Sequence, residues 1–346
     1  MNTKRTSNLL RSIAFFLTGV ILVCTFGFTV DGWLVGDEDI PTEDLPTDGE
    51  ISEEVIPEIP PEEEKVIYYN KITGLETGEE LSKLAPLAYV MEKNSPLFGL
   101  SGADIIIDIP TEGENRLITI RTDNNNLWKI GAMAPGRGYI SSLAGLFGAN
   151  LISFGNDDII EYENCTPPSI IEVSGISYKE YNSYTYTNSD LLKGSITERE
   201  FAASLPYTHA EIGENIIFET TAAKAKFEDT ELVYDEETSN YIWYENGEAQ
   251  RDLINGKALS FANCLILFAD SVIYDNQSGT QMVMNTIGTG SGYYLTNGTY
   301  TRINYTSSQS GSMTLYSETS EQLIINRGEI YIRYLKSSMK NYITIS

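Results

Sequence analysis

The apolar positions of the chain form one long run and many short ones. Residues 13–30 are an uncharged apolar stretch of about the length that crosses a bilayer as a helix. Lys4, Arg5 and Arg11 precede the stretch, whereas Asp31 and further acids follow it. Because positive charge favours the cytoplasmic side, this pattern predicts a single-pass cell-membrane protein with an extracellular C-terminal body.

Two other interpretations of the apolar stretch stay open. It could be a cleaved signal peptide, but the run is longer than a usual signal core and no A-x-A-like site follows it. It could be a lipoprotein signal ending at Cys24, but Val23 is a poor residue before a lipidated cysteine and apolar sequence continues past it. We predict an uncleaved transmembrane anchor within residues 1–34.

Residues 35–65 contain many acids and prolines but bury almost nothing. No Lys or Arg occurs between residues 37 and 64, and this segment supplies about half of the net charge of −26. Its like charges repel each other, so we expect an extended, disordered linker that separates the body from the membrane.

The short apolar runs predict a body of two domains with an α+β fold. Runs at 105–109, 117–120 and 151–154 favour strands, and residues 139–146 favour a helix, so we expect a mixed α/β domain at 66–205. Residues 206–346 predict a β-rich, sandwich or barrel-like domain. Its short strands are separated by turns such as those at Asn246-Gly247 and Asn297-Gly298.

Composition and charge exclude several kinds of function. Hydrophobic residues make up 41% of the chain, which is enough for a core. The acidic balance argues against a nucleic-acid partner but leaves cations and basic partners open. His209 is the single histidine, and Cys165 and Cys264 show no C-x-x-C pattern, so we expect neither a metal nor a cofactor. A Cys165–Cys264 disulfide and two separate thiols both remain open.

Glu112, Arg116 and Arg137 are the best candidates for a polar ligand-binding site. An arginine can hold a carboxylate or phosphate through two parallel hydrogen bonds, with Glu112 holding the arginine when no ligand is bound. The alternative is an internal ion pair that supports a loop. Asp104 is a further candidate, either as a catalytic carboxylate or as a turn residue.

Two other patterns allow a functional or a structural interpretation. The glycines of residues 288–292 could form a phosphate cradle, but the segment lacks the P-loop lysine, and a glycine-rich β-turn or bulge explains it. Tyr178, Tyr181, Tyr184 and Tyr186 could stack on sugar rings or pack within the protein.

Several short motifs occur in an order that resembles the YerB-like family, a two-part bacterial surface-lipoprotein family of unknown function. They are Asn70-Lys71-Ile72-Thr73-Gly74-Leu75, Pro86-Leu87-Ala88-Tyr89-Val90-Met91, Gly99-Leu100-Ser101-Gly102-Ala103-Asp104-Ile105, Glu112-Gly113-Glu114-Asn115-Arg116 and, later, Asn246-Gly247 and Asn297-Gly298. The resemblance covers roughly residues 68–335. It implies an extracytoplasmic protein tethered to a membrane and implies no established activity.

The chain also departs from the family pattern. The arginine-rich stretch that follows an Ile-Gly in the family is here 130–137, with Ala134 at one arginine position and only Arg137 remaining. Ser153-Phe154 and the tyrosine-rich 178–186 stand where the family carries histidines. A polar site in the first part of the family would therefore be largely lost here.

These observations favour a membrane-tethered binding or interaction module of the cell envelope over an enzyme. Its partners would be the membrane, through the N-terminal helix, and an envelope protein or wall polymer. The alternative is a cell-wall or glycan hydrolase that uses acidic residues such as Glu112 or Asp104.

Overall fold

A computed structural model describes residues 66–155, 169–181, 183–276, 279–308 and 311–346. These residues belong to one compact unit, Glu64–Ser346. The apolar stretch at 13–30, the acidic linker and Cys165 lie outside the described residues. Within the described ranges, no helix is long and apolar enough to cross a membrane.

The described body consists mainly of β-strands. The first strands are β1 (Tyr68–Tyr69), β2 (Glu76–Thr77), β3 (Leu87–Glu92), β4 (Ile105–Ile109), β5 (Arg116–Arg121), β6 (Ile130–Gly131), β7 (Asn150–Ser153), β8 (Ile170–Glu172), β9 (Tyr178–Glu180), β10 (Tyr184–Thr187), β11 (Thr208–His209) and β12 (Thr220–Thr221). The later strands are β13 (Lys224–Phe227), β14 (Thr230–Asp235), β15 (Asn240–Glu245), β16 (Glu248–Ala249), β17 (Ser260–Phe261), β18 (Asn263–Asn276), β19 (Gly279–Asn285), β20 (Gly288–Thr296), β21 (Thr299–Ser307), β22 (Met313–Tyr316), β23 (Ile324–Ile325), β24 (Ile330–Lys336) and β25 (Thr344–Ile345).

Helices are few and short in the described part of the chain. They are α1 (Glu79–Lys83), α2 (Gly138–Leu146), α3 (Ser189–Leu192) and a 3-10 helix at Ser337–Tyr342. The helix predicted at 139–146 is confirmed by α2, and the predicted predominance of strands at 206–346 is confirmed. The region 66–205, for which we expected a mixed α/β domain, is also dominated by strands, with three short helices among its described residues.

The largest sheet of the described body joins both predicted domains. Its strand order is β12-β21-β20-β18-β24-β4-β5-β3-β7-β8, with β19 paired to β18 and β22 paired to β21. The junction is the parallel pair β24–β4, in which Ile330 lies opposite Ile105. The predicted domain division between residues 205 and 206 stays a prediction, and strands from both sides of it lie in this sheet.

The sheet is buried on both faces, which explains its continuous apolar strands. On β4, Ile105 and Ile107 face a core that includes α2, whereas Ile106 faces the opposite core. The opposite core is completed by a second sheet of order β16-β15-β14-β13-β25, with β17 paired to β15. Trp243 of β15 is fully buried there. Each isoleucine or similar side chain buried in this way contributes roughly 1.5–3 kcal/mol to folding.

The glycine-rich segment at 288–292 lies in strand β20. Gly290 pairs with Tyr305 of β21, and a Cβ at Gly290 would lie 2.2 Å from the Tyr305 ring. The Tyr305 hydroxyl donates a hydrogen bond to the Phe268 carbonyl at 2.7 Å, so the ring crosses the strand at the glycine. The glycine therefore provides space for an aromatic ring, and the segment does not form a phosphate-binding loop.

Candidate functional site

The two candidate carboxylates lie at opposite ends of β4. Asp104 immediately precedes the strand and Glu112 follows it. The five residues of β4 alone extend over about 16 Å. A glycoside hydrolase holds its two carboxyl groups about 5–9.5 Å apart. The ends of this strand therefore do not bring Asp104 and Glu112 together as such a pair.

Asp104 is buried and holds two neighbouring segments in place. It accepts hydrogen bonds from the Asn70 side chain at 2.9 Å, the Thr122 backbone N–H at 2.6 Å and the Thr122 hydroxyl at 2.7 Å. Burial raises its pKa to about 6, although these donors and Arg121 oppose the shift. Both carboxylate oxygens thus have protein partners.

Glu112 and Arg137, two of the four predicted site residues, form an ion pair. Arg137 Nη2 lies 2.5 Å from Glu112 Oε1, and the Met282 backbone N–H lies 3.5 Å from Glu112 Oε2. Burial is the largest single influence and would raise the pKa of Glu112. The hydrogen bond and charge of Arg137 and the backbone N–H donors of Glu112 and Met282 together outweigh it, so the pKa is lowered. Arg116, at the start of β5, pairs with Ile109 and Glu92 along the sheet. The structure brings Glu112 and Arg137 together, as the internal ion-pair alternative requires.

A buried charge network, which the sequence analysis did not predict, surrounds Asp108 of β4. Asp108 Oδ2 accepts hydrogen bonds from Lys93 Nζ at 2.7 Å and the Tyr331 hydroxyl at 3.0 Å. Its Oδ1 accepts from Asn115 Nδ2 at 3.0 Å and from Arg333 Nη1. Burial would raise the pKa of Asp108, but the charges of Arg333 and Lys93 lower it overall.

The network extends from Asp108 to the second sheet. Lys93 Nζ also lies 2.7 Å from Glu245 of β15, and Arg333 Nη2 lies 2.5 Å from Glu228, which precedes β14. Each oxygen of Asp108 has two donors, so no lone pair is left for a ligand. We therefore assign this network to the packing of the two sheets.

A polar cleft of about 320 Å³ lies at the edge of the main sheet where β3 and β7 begin. We call it the asparagine cleft. Its amide side chains are those of Asn124, Asn125, Asn126 and Asn150. Its apolar wall includes Leu81, Leu84, Leu87 and Ile196. An apolar wall with a few converging polar groups is the usual composition of a small-ligand pocket.

Asn150 is the most informative residue of the asparagine cleft. It is the first residue of β7, is 2% exposed, and its backbone N–H donates to the Pro86 carbonyl at 3.0 Å. Its side-chain Oδ1 is buried and accepts no hydrogen bond from any residue that the structure describes. A buried acceptor without a donor is unfavourable by about 1–3 kcal/mol, so this atom is suited to a ligand that brings a donor.

Hydrogen bonds fix the loop that carries the other three asparagines. The Ser189 hydroxyl at the start of α3 donates to the Asn124 carbonyl at 2.6 Å and accepts from the Leu127 N–H at 3.0 Å. The Asn124 side chain accepts from the Tyr89 hydroxyl at 3.0 Å and donates to the Arg121 and Thr122 carbonyls. The cleft wall is therefore held in place without a ligand.

The tyrosines of residues 178–186 pack around a lysine of the protein itself. Lys129 Nζ lies 4.4–4.5 Å from the ring centres of Phe98, Tyr181 and Tyr186 and forms an ion pair with Glu180. This is a cation–π cluster. The interpretation that these tyrosines pack within the protein is confirmed for Tyr186, whereas Tyr181 also remains half exposed.

Metal and cysteine chemistry find no support in the described part of the chain. Among those residues, no group of three His, Cys, Asp or Glu side chains could hold a metal ion. Cys264 is a buried free thiol, and burial raises its pKa well above the ordinary value.

The chain is thus a β-rich protein that is built on one large sheet and carries the asparagine cleft at one edge of that sheet. Residues 219–332 match the family described as "protein of unknown function (DUF3048) C-terminal domain". The fold is similar to the crystal structure of the YerB protein from Bacillus subtilis, with a TM-score of 0.67 and 18% identity. That match covers 80% of this chain and 99% of the YerB chain. No curated protein matches the chain. The predicted resemblance to the YerB-like family, whose function is unknown, is therefore confirmed.

Proposed function

We propose that this chain is a membrane-tethered binding protein of the cell envelope, and that the asparagine cleft is its ligand site. The observation that carries the proposal is the buried, unpartnered Oδ1 of Asn150 in a cleft of about 320 Å³. A polar atom in this situation gains a hydrogen bond when a ligand enters, and the apolar wall gains contact area.

The chemistry of the cleft selects a neutral polar ligand. Its lining includes the amides of Asn125, Asn126 and Asn150, which both donate and accept but carry no charge, whereas the Asn124 amide is already bonded within its loop. Charged groups occur as a mixture of Asp190, Glu198 and Lys193, so neither sign of ligand charge is favoured. A ligand with hydroxyl or amide N–H groups meets these requirements.

The N-terminal region supports the proposed location. The apolar stretch at 13–30 has basic residues before it and acids after it, and the acidic linker would separate the body from the membrane surface. An envelope polymer or protein is the partner that a body in this position would meet. Protease treatment of intact cells tests this part, because an extracellular body would be digested and a cytoplasmic one would be protected.

Binding is favoured over the hydrolase alternative by the positions of the carboxylates. Asp104 accepts hydrogen bonds from Asn70 and Thr122, and Glu112 pairs with Arg137 beyond the other end of β4. A hydrolase needs one carboxyl group to give a proton and a second to activate water or attack the sugar. Asp104 and Glu112 lie at opposite ends of β4 and therefore do not form such a pair.

The cleft is tested by the substitution Asn150→Leu, which removes the acceptor at similar volume. Binding of neutral sugars and neutral peptide amides to the full-length chain would be measured by calorimetry. We expect Asn150→Leu to weaken a bound probe about tenfold, which corresponds to about 1.4 kcal/mol. Asn341→Leu, at an exposed position of the 3-10 helix, is the control and should bind as the native chain does. Unchanged affinity in Asn150→Leu would refute the assignment.

A further inference from the structure

Two exposed aromatic rings form a ledge beside the asparagine cleft. Trp128 is 58% exposed and Tyr181 is 52% exposed. Both rings contact the buried Phe98, with ring centres 6.0 Å and 5.7 Å away respectively. We call Trp128 and Tyr181 the aromatic ledge. Large rings are usually buried, so two of them exposed over one support mark a contact surface.

Neighbouring side chains hold the aromatic ledge in place. Lys129 Nζ lies 4.4 Å from the ring centres of both Phe98 and Tyr181 and forms an ion pair with Glu180. Tyr186 contacts Phe98 and Tyr181, and its hydroxyl donates to the Pro96 carbonyl at 3.1 Å. Rings fixed in this way lose little conformational freedom when a ligand covers them.

The ledge continues from the cleft along the same loop. Trp128 is two residues beyond Asn126, so their Cα atoms are at most about 7 Å apart. Between them, Leu127 is bound to α3 through its N–H to the Ser189 hydroxyl at 3.0 Å and its carbonyl to the Ser189 N–H at 2.9 Å. Asn126 of the cleft and Trp128 of the ledge are thus close neighbours on a loop that hydrogen bonds hold in place.

We propose that this surface binds a neutral oligosaccharide, with one sugar in the asparagine cleft and further sugars stacked on the aromatic ledge. A sugar ring has polar edges and an apolar C–H face, which match the amides of the cleft and the faces of Trp128 and Tyr181. The net charge of the chain, −26, disfavours an anionic polymer. This inference rests on the proposed function and adds the class of ligand and a second subsite.

The test compares short and long neutral sugars on variants of the full-length chain. The probes are β-1,4-linked N-acetylglucosamine oligomers of two and five units, in a polyoxyethylene detergent so that no sugar head group competes. Calorimetry measures the affinity of every variant for both oligomers. In the chains that keep Trp128, tryptophan fluorescence also reports on the ledge, because Trp243 is fully buried. A Trp33→Phe background removes the signal of the remaining tryptophan.

Binding by the pentamer should be at least tenfold tighter than binding by the dimer. In the double variant Trp128→Ala/Tyr181→Ala, the affinity for the pentamer should fall at least tenfold and the affinity for the dimer less than twofold. Tyr342→Ala, which removes a tyrosine that is 72% exposed elsewhere, is the matched control and should change neither. Circular dichroism of each variant checks that the fold is retained.

The outcomes separate the ledge from the cleft. In one outcome, Asn150→Leu lowers the affinity for the dimer while the ledge variant binds the pentamer as the native chain does. In that case the ledge is not a subsite, and the cleft remains the proposed ligand site. If neither oligomer binds, while neutral peptide amides bind in a way that depends on Asn150, the saccharide assignment is wrong. If no neutral probe responds to Asn150→Leu, both proposals are wrong.

Discussion

Removing the carboxylate of Asp108 is expected to destabilise the body more than removing either cation beside it. Asp108 is 0% exposed and Arg333 is 1% exposed, so neither charge is compensated by water. Asp108→Ala would leave Lys93 and Arg333 without the anion between them, and would leave the Tyr331 hydroxyl without its acceptor. Breaking a buried pair in this way costs about 3–5 kcal/mol.

Arg333→Met should have a smaller effect, for reasons visible in the same contacts. Asp108 would keep Lys93, Asn115 and Tyr331 as donors, and Glu228 is exposed enough to turn towards water. We expect a loss of about 1–3 kcal/mol for Arg333→Met, in the range of one lost charged hydrogen bond. The double variant should lose less than the sum of the two, by more than about 1 kcal/mol.

Urea unfolding at neutral pH, followed through the buried Trp243, measures these differences. Lys83→Ala is the control, because Lys83 and Glu79 form a solvent-exposed ion pair, and such pairs contribute little to stability. Since its pKa is lowered, the contribution of Asp108 is present above the unfolded value of about 3.9 and is lost as the pH falls below it. Additivity within about 0.5 kcal/mol would refute the coupling of Asp108 to Arg333.

Three further predictions follow from single contacts. Gly290→Ala should destabilise the body by about 1–3 kcal/mol, because its Cβ would overlap the Tyr305 ring. Adding Tyr305→Ala should remove that overlap, and thermal melting of the single and double variants measures both effects. Asp104 has a raised pKa of about 6, so its contribution to stability is fully present below about pH 3.9 and is lost as the pH rises through 6. The free energy of unfolding should therefore fall between pH 4 and pH 7.5 in the native chain by more than it does in Asp104→Asn. Lys129→Met should lower stability by about 1–2 kcal/mol through loss of the cation–π contacts, and an equal melting temperature would contradict this.

Local features of the fold could be predicted from the sequence because they depend on neighbouring residues. The isoleucines of β4 indicated a buried strand, and Asn246-Gly247 and Asn297-Gly298 indicated hairpin turns. In the structure both asparagines have positive φ, at 50° and 46°, as these turns require. The sharing of one sheet by both halves was not predictable in this way. It depends on the parallel pair of Ile330 and Ile105, whose distance in the chain leaves no local pattern.

The candidate site residues were harder to interpret, because their roles also depend on contacts between residues that are distant in the chain. Glu112 and Arg137 were selected by residue type and do meet, but Asp104 was not separable from a turn residue until its three donors were known. Asn150 gave no signal at all, because an asparagine at the start of a strand is ordinary. Its importance comes from burial and from a missing donor, which only the folded chain determines.

Ala134 marks a departure of this chain from the pattern of the family that it resembles. Ala134 stands where the resemblance places an arginine, and it is fully buried, with its N–H bonded to the Val90 carbonyl at 2.9 Å and its carbonyl to the Phe154 N–H at 3.0 Å. The charge that an arginine would bring is absent there, and Arg137 is engaged by Glu112. The unsatisfied polar group of the asparagine cleft belongs instead to a neutral amide, that of Asn150. An arginine at this position could hold an anion through two hydrogen bonds. Its absence here accords with our proposal that the neutral cleft takes ligands that carry hydroxyl or amide groups.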